Sequence, residues 1–554
     1  MLGLVVPGSA FGGPALAAVT LDQFTVTPGS FQAGSHPNVT IYQHVTLSST
    51  DDDVDDTFVR LAPGLLGNPQ AAAVCTGATL RSTAGCPAAA KVGTVRVTAT
   101  IHLLPPLVSL ADQVIDGTVY NLRPTGSEPA RLGLKLEPRV LPAPLPALPP
   151  VYLESPVYLR KGADGIGLES VFSDQPREQS GLNVQITSVR LTFLGKASRG
   201  TFMRMPTSCS PLTSVGRVNS YNGPTAFSTR TTAFTPVGCG ALGFSPTAVG
   251  TLGSPAATRK RSKPPLSTTL RFDPEQAALK TAEVTLPPSL GPNVGVLALA
   301  CPRAQADADT CPASSRVGTA IIDSPLQASP VQGPVYLAYN TDASLPGLIV
   351  KLPPPVDLRV DGVIEATPKG LRNTFAGNPD LPLRSFMLRF DGGPNGPIEL
   401  SKDLCDPSMD TRMSVRLTSH SGKVSQFKQE LATPGCDPLA RVTITKHRHS
   451  FTLAAILTAA RRGPDLTRAR IALPKQLKRG RYAPRLSIDG KKARAGKPRR
   501  ALSKKLRGAR RVKLVWKGLT RAKGKKLPAR MTVPIVMSDK RGKQTRLRLR
   551  VHRG

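Results

Sequence analysis

The sequence predicts an all-β protein, with tandem Ig-like β-sandwich domains in a duplicated unit and a basic β-sandwich at the C-terminal end. Three observations support this fold class. A stretch at residues 57–95 recurs at residues 282–320, apolar and polar residues alternate along many short segments, and basic residues concentrate after residue 440. Alternation with a period of two is typical of strands that bury one face.

The duplication extends well beyond the stretch that reveals it. The motif Cys86-Pro87-Ala88 recurs as Cys311-Pro312-Ala313, at an offset of 225 residues. Two later segments, 117–120 and 188–195, correspond to 333–336 and 385–392, at offsets of 216 and 197. Because the offset falls while the strand-like segments remain, we expect the first copy to carry longer loops.

These patterns predict the domain boundaries. Residues 1–18 are uncharged and end in Ala15-Leu16-Ala17-Ala18, which is typical of a signal peptide, here truncated because no basic residue precedes the apolar run. The first disulfide-containing repeat is expected at 19–250, a linker at 251–267, the second repeat at 268–440 and the basic module at 441–554. No later stretch has 18 consecutive apolar residues, so we expect an exported protein without a membrane span.

Eight cysteines fall as four in each repeat, with spacings of 11 and 30 residues in the first and 10 and 31 in the second. These spacings favour two disulfides per repeat, although four cysteines allow three connectivities and free thiols are the alternative. Zinc is less expected because no Cys-x-x-Cys pair is present. The predicted pairs are Cys75 with Cys86, Cys209 with Cys239, Cys301 with Cys311, and Cys405 with Cys436.

The charge is concentrated in one segment. Residues 441–554 contain 37 Lys and Arg against three Asp, whereas residues 1–440 carry a net charge of only +3. A polyanionic partner is therefore expected at this segment. Only three aromatic residues lie in this region, which disfavours a sequence-specific reader of nucleic acid. We expect an anionic cell-wall polymer or acidic glycan instead, and the candidate contact residues are Lys491, Lys492, Arg499, Arg500, Lys504, Lys505, Arg510, Arg511, Lys523, Lys525 and Lys526.

The same segment continues the strand pattern. Residues 531–551 read as a hairpin with one apolar face and arginines on the other. Residues 468–477 resemble the opening of both repeats, which suggests a truncated third relative, and residues 451–460 fit either a helix or a strand. Trp516 is expected in the core, in register with Val512 and Leu514.

An acidic cluster between the second and third predicted strands is the candidate metal site. Asp51, Asp53 and Asp55 are weak candidates for a Ca²⁺ loop, since hard oxygen ligands suit that ion, but a solvated turn is the stronger interpretation. No cofactor is expected. His102 lies on the polar face of a strand pattern, so we expect it to face solvent.

Motifs of secreted hydrolases are missing from the sequence. There is no Gly-x-Ser-x-Gly elbow, no His-Glu-x-x-His pair and no phosphate loop. We therefore expect a non-enzymatic cell-surface or cell-wall binding protein. The alternative is a secreted carbohydrate-active enzyme or carbohydrate-binding protein, whose cleft between the repeats would be lined by two carboxylates and exposed aromatic side chains.

Four motifs carry a resemblance to a known group. They are Ala33-Gly34-Ser35-His36-Pro37, Leu65-Leu66-Gly67-Asn68-Pro69, Cys86-Pro87 with Val92-Gly93-Thr94, and Glu128-Pro129-Ala130-Arg131. In these motifs the chain resembles uncharacterised secreted β-sandwich repeat proteins of high-GC actinobacteria, over about residues 20–440. The resemblance implies an exported all-β protein and no particular activity.

Overall fold

The computed structural model describes residues 19–49, 52–104, 108–138, 149–162, 164–179, 181–254, 257–339, 345–406, 408–460, 464–540, 542 and 544–552. Over these residues the fold is all-β, as predicted. The predicted signal peptide and Asp51 lie outside them. In the part of the chain that is described, no helix is both long enough and apolar enough to span a bilayer.

The first repeat is built on one antiparallel sheet. Its strands are β1 (Val19–Pro28), β2 (Val39–Leu47), β3 (Val54–Arg60), β4 (Leu66–Gly67), β5 (Lys91–Leu104), β6 (Val108–Leu122), β7 (Ala130–Glu137), β8 (Val151–Gly162), β9 (Gly165–Phe172), β10 (Glu178–Gln179), β11 (Leu182–Phe193), β12 (Lys196–Ala197), β13 (Gly200–Thr201), β14 (Met203–Arg204), β15 (Leu212–Ser220) and β16 (Gly223–Phe234). The order along the sheet is β1-β2-β11-β5-β6-β7-β8-β9-β3-β15-β16.

This sheet rolls over on itself until its two end strands meet. Leu21 of β1 donates its backbone N–H to Ser228 Oγ of β16 (2.9 Å), and Arg230 Nε returns a hydrogen bond to the Leu21 carbonyl (3.0 Å). The inward side chains of all the long strands thereby share one apolar core, which includes Val19, Val95 and Phe172. The rolled sheet supplies both layers of a sandwich.

The second repeat has the same topology. Its strands are β17 (Thr247–Leu252), β18 (Leu266–Arg271), β19 (Leu279–Thr285), β20 (Leu290–Pro292), β21 (Arg316–Asp323), β22 (Val331–Ala338), β23 (Gly347–Leu352), β24 (Leu358–Thr367), β25 (Gly370–Phe375), β26 (Ser385–Phe390), β27 (Ile398–Leu400), β28 (Arg412–Ser419) and β29 (Val424–Glu430). Its order is β17-β18-β26-β21-β22-β23-β24-β25-β19-β28-β29, which matches the first sheet strand for strand.

The strands β17 and β18 lie on either side of the predicted linker. They pair with each other along their whole length, from Thr247 opposite Arg271 to Leu252 opposite Leu266. Residues 253–265 are therefore the connection of a hairpin within the second sheet, and the second repeat begins at Thr247, within the range assigned to the first.

Helices are few and short. The α-helices are α1 (Gly77–Arg81), α2 (Val294–Leu297) and α3 (Arg303–Asp307), and the 3₁₀ helices span Pro69–Ala71, Ala88–Ala90, Cys239–Ala241, Ala313–Ser315 and Pro434–Cys436. The predicted cysteine pairs all form, and the described residues include no free cysteine. Each disulfide closes a loop and so restricts the unfolded chain.

The C-terminal module is a sandwich of two separate sheets. Its strands are β30 (Leu439–Lys446), β31 (Phe451–Thr458), β32 (Leu466–Ala472), β33 (Leu477–Lys478), β34 (Arg485–Ile488), β35 (Lys491–Ala493), β36 (Ala501–Ala509), β37 (Arg511–Arg521), β38 (Arg530–Asp539) and β39 (Gln544–His552). One sheet has the order β30-β31-β37-β34-β35, with β33 also paired to β37, and the other has the order β36-β32-β38-β39.

This topology corrects one expectation and supports two others. The module is not a truncated third copy, because its two sheets share no strand order with the rolled sheet of the repeats. The short sequence similarity reflects only the alternation that any half-buried strand shows. The predicted hairpin forms as β38 and β39, and Trp516 lies fully buried in the core between the sheets.

One further expectation was wrong. His102 is buried, and its ring contacts Gln185 Oε1 at 2.9 Å. The Gln185 amide nitrogen in turn donates to the carbonyls of Ser49 and Asp52. The strand β8 begins at Val151 and contains Pro156. The ladder from β8 to β9 begins at Val157, so the missing N–H of Pro156 falls outside it.

Three of the motifs behind the resemblance have structural roles. The His36 ring contacts the Met203 carbonyl at 2.7 Å, and Asn68 Oδ1 accepts from the Gln70 N–H at the start of a 3₁₀ helix. Glu128 accepts hydrogen bonds from backbone N–H groups in its own turn. Asn68 and Glu128 thus hydrogen-bond within their own turns, whereas His36 contacts a residue distant in sequence.

A buried carboxylate joins the two repeats. Asp380, in the loop between β25 and β26, is 5% exposed and accepts hydrogen bonds from the Thr207 N–H (2.6 Å), the Thr207 hydroxyl (2.6 Å) and the Ser208 N–H (3.2 Å). Thr207 Oγ1 in turn accepts from the Ala278 N–H (3.1 Å). A carboxylate that accepts several buried donors fixes the position of both chains that meet there.

Replacement of Asp380 tests this junction. In Asp380→Ala the donors of Thr207 and Ser208 lose their acceptor while still buried, which should lower the free energy of unfolding by about 2–4 kcal/mol. Calorimetry would detect this change as a lower melting temperature of the two repeats. Asp361→Ala is the matched control, because it removes an exposed ion pair with Arg359 and should cost less than about 1 kcal/mol. Equal losses in the two variants would contradict the assignment.

Candidate polyanion-binding surface

The outer face of the sheet β36-β32-β38-β39 is strongly basic. Strand alternation directs residues such as Leu502, Ile471 and Val533 into the core, and their neighbours therefore point outward. On β39 the outward residues are all exposed, and they are Gln544, Arg546, Arg548, Arg550 and His552. We call the cationic face the set Arg468, Arg470, Lys505, Arg546, Arg548 and Arg550.

Strand register brings these residues together. Arg468 pairs with Lys505 across β32 and β36, and Arg470 pairs with Val536, which in turn pairs with Arg546. Successive outward residues on one strand are about 7 Å apart, and residues on strands separated by one other strand are about 10 Å apart. These spacings are close to the Debye length of about 8 Å at physiological ionic strength, so the fields of the cations add.

The carboxylates of the module lie elsewhere. Asp465 is 3.4 Å from Arg510 Nη1 and 3.5 Å from Lys540 Nζ, and Asp489 accepts from the backbone N–H groups of Arg510 and Arg511. Asp539 is buried opposite Leu466, at the same end of the sandwich. In the described part of the module, the outer face of this sheet therefore has no carboxylate. Like charges that pair across strands, as Lys505 and Arg468 do, repel each other until an anion binds.

The eleven candidates from the sequence do not form one patch. All are exposed except Lys504, which is half-buried and donates to the Arg494 carbonyl. Lys491, Lys492, Arg510 and Arg511 lie at the end of the sandwich where β36 connects to β37. Lys523, Lys525, Lys526, Arg499 and Arg500 lie at the opposite end, about 30 Å away along β37. Only Lys505 belongs to the cationic face.

Sequence reasoning therefore missed most of the cationic face. It noted arginines on one side of the predicted hairpin, but it selected the densest basic clusters, and those fall in loops and edge strands. The alternation of Arg546, Arg548 and Arg550 is the signal that could have found the face. Their grouping with Arg468 and Arg470 depends on the pairing of β38 with β32, which the sequence does not specify.

The opposite sheet carries a second basic feature. A pocket of about 550 Å³ is lined by Thr445, His447, Thr452, Tyr482, Arg485 and Lys517, among others. Tyr482 is 50% exposed, and its ring lies 5.1 Å from the Arg481 guanidinium. Cations beside hydroxyl groups and an exposed ring are suited to an anionic saccharide unit.

The metal candidates lie in a polar cluster. Asp53 is buried, 3.3 Å from Arg177 Nε and 3.1 Å from Asn183 Nδ2, and burial raises its pKa. Burial, followed by the nearby carboxylates of Asp56 and Asp174, also raises the pKa of Asp55. Within the described residues, which exclude Asp51, no three carboxylate, histidine or cysteine side chains are grouped as metal ligands. Arg177 instead supplies the positive charge beside Asp53.

A cleft does lie between the repeats. It measures about 400 Å³ and is lined by Gln70, Asn121, Glu128 and Gln327, among others. Glu128 is its one carboxylate, and no aromatic residue lines it. Burial raises the Glu128 pKa, but hydrogen bonds from the Thr125 backbone and from Arg131 outweigh burial and hold the pKa below its usual range. A general acid of a glycosidase requires the opposite shift.

Comparisons with known proteins were made on sequence and on structure. No protein-family model matches the chain, and no curated protein sequence matches it significantly. Among solved structures, it is similar to an MSCRAMM of Enterococcus faecalis (9% identity, TM-score 0.16, 55% of this chain and 94% of that one). It is also similar to a membrane-anchored protein of Corynebacterium diphtheriae (8%, 0.16, 84% and 96%) and to the N-terminal domain of a Streptococcus gordonii adhesin (8%, 0.19, 96% and 100%). Superpositions with such low TM-scores support no inference about function.

The acidic cluster makes a prediction about pH. Because the folded-state pKa of Asp55 is raised, its ionisation costs stability as the pH rises above 3.8, the ordinary pKa of an aspartate. Asp55→Asn should therefore raise the melting temperature of the first repeat at pH 7, and the gain should disappear near pH 3. Calorimetry at both pH values would measure it, with the exposed Asp112→Asn as control. A stability loss at pH 7 would contradict the prediction.

Proposed function

We propose that this chain is a secreted, non-enzymatic binding protein of the cell surface or cell wall, and that its C-terminal module contacts polyanionic wall polymers. The observation that carries the proposal is the cationic face. Six basic side chains lie on the outer surface of one sheet, and the carboxylates of the module lie at one end of the sandwich, away from this surface. Membership of the actinobacterial secreted repeat proteins is part of the same proposal.

Electrostatics explains how such a face would bind. A flexible polyanion that lies across the sheet would exchange its condensed counterions for fixed arginines, and the released ions supply the free energy. Guanidinium groups suit phosphate and carboxylate alike because they donate two parallel hydrogen bonds. Binding of this kind needs no particular sequence of sugar or phosphate units, so it suits an irregular wall polymer.

The two repeats support the proposed location. Each contains two disulfides, which form and persist in oxidising surroundings outside the cytoplasm. The two joined repeats would themselves form a rigid structure that extends away from the anchoring module. The cleft between them has a single carboxylate of lowered pKa, which favours binding over hydrolysis as its use.

The cationic face makes a quantitative prediction. The triple variant Arg546→Gln, Arg548→Gln and Arg550→Gln should weaken binding to isolated anionic cell wall and reduce the slope of log K against log salt by about 2–3, since each phosphate contact contributes about 0.7–0.9. Co-sedimentation at several salt concentrations would measure both quantities. Trp516 fluorescence would confirm that the module is folded, because this tryptophan is the only one in the chain.

Two controls define the outcome. The variant Arg259→Gln, Lys260→Gln and Lys263→Gln makes the same charge change in the second repeat and should bind as the parent does. The triple change of Lys523, Lys525 and Lys526 to Gln tests the loop at the end of the module. If the loop variant loses more affinity than the arginine variant, the contact lies at the loop and the proposed face is wrong. Full binding by a chain that ends at Leu439 would refute the anchoring role.

A further inference from the structure

Two adjoining apolar cavities lie at the second repeat, and the second of them also reaches Leu159 of the first repeat. Each measures about 100 Å³. The first is lined by Leu266, Val284, Ile364 and Leu388, among others, and the second by Ile322, Leu352, Val360 and Leu383. Ala282, Phe375 and Phe386 line both, so the two cavities adjoin at these side chains. An apolar cavity of such a size stays dry and can admit an apolar guest.

Asn373 places one amide group in this apolar wall. On β25 it alternates with Leu371 and Phe375, which also line the first cavity. It lies opposite Val284 of β19 and Ile364 of β24, so its immediate cross-strand neighbours are aliphatic. Its Oδ1 atom is buried and has no hydrogen-bond partner. An unpaired buried acceptor costs about 1–3 kcal/mol, so a group that supplies a donor would be bound favourably.

Among the described residues, no group donates a hydrogen bond to Asn373 Oδ1. The charged residue at the wall, Arg372, is held by Glu365 at 2.9 Å. A bound water needs two to four polar partners, and the side chains of the cross-strand neighbours Val284 and Ile364 offer none. The missing partner is therefore a donor carried by a molecule whose remainder is apolar.

The first repeat repeats the arrangement. Its own cavity of about 100 Å³ is lined by Val59, Leu132, Leu168 and Phe193, among others. Ser170 lies in this wall and pairs with Val59, as Asn373 pairs with Val284. Both copies thus place one polar residue at the same position of the same strand. The cavity of the first repeat shares the lining residues Leu159 and Leu326 with the second cavity of the second repeat. Each of the three cavities therefore adjoins the next.

We infer that the second repeat binds an aliphatic molecule that bears a hydroxyl group. Its chain lies between β19, β24, β25 and β26, and its hydroxyl is held by Asn373. A hydroxyl matches a carboxamide because it donates to Oδ1 and can accept from the amide nitrogen. An ionised carboxylate does not fit, since it cannot donate a hydrogen bond to Oδ1. This site is independent of the polyanion-binding surface.

The test compares two probes of similar length, 1-octanol and 1-methoxyheptane, which lacks the donor. Isothermal titration of the full chain should show saturable binding of both, with 1-octanol tighter by about 5–10-fold, as one hydrogen bond implies. In Asn373→Leu this preference should disappear. Asn395→Leu, at an exposed loop position, should preserve it. Ala282→Val narrows the passage between the cavities and should weaken both probes.

Each other outcome would overturn the inference. Absence of saturable binding by the parent protein would show that the cavities are packing defects. Equal affinities for the alcohol and the ether would remove Asn373 from the site. The same follows if Asn373→Leu keeps the preference. Should Asn373→Leu fail to fold, Asn373→Ser supplies the same comparison, and its preference should fall without a loss of both probes.

Discussion

An antiparallel sheet of eleven strands can bury its apolar face only by covering it with itself. In each repeat this constraint brings the first and last strands together, and the contact of Leu21 with Ser228 and Arg230 closes the first sheet. The other features follow from the closure. The curved inner surface leaves cavities where the central strands bend, and the loops at one end are free to meet the other repeat, where Asp380 binds Thr207. A flat sheet would expose both the core and the edges.

Much of the fold could be predicted from the sequence, for identifiable reasons. Strand alternation can be read from short segments, and the duplication and the paired cysteine spacings from comparing one half of the sequence with the other. These signals correctly predicted the strands, the equivalence of the repeats and the four disulfides. Strand order was not predictable. The placement of β11 between β2 and β5 joins residues more than 80 positions apart in sequence. The burial of His102 was missed for the same reason, since Gln185 is 83 positions away in sequence and contacts the ring only in the folded state.

The cationic face, too, could be predicted only in part from the sequence. Net charge located the module, because charge is additive along a chain. Charge density then pointed to loop clusters at Lys491 and Lys523, whereas the arginines of β32 and β39 become neighbours only through β38. Asn373 gave no sequence signal at all. It is an ordinary residue in a strand, and its significance comes from the aliphatic side chains that three other strands place around it.

The two disulfides that enclose the longer loops have a mechanical consequence for a protein held at one end. Cys209 and Cys239 enclose β15 and β16, and Cys405 and Cys436 enclose β28 and β29. Tension applied along the backbone passes through each sulfur bridge and bypasses the enclosed hairpin. The last two strands of each sheet thus cannot be drawn out as extended chain while the bridge is intact. Stretching would lengthen the molecule less than its residue count implies, and reduction of the bridges would release the remainder.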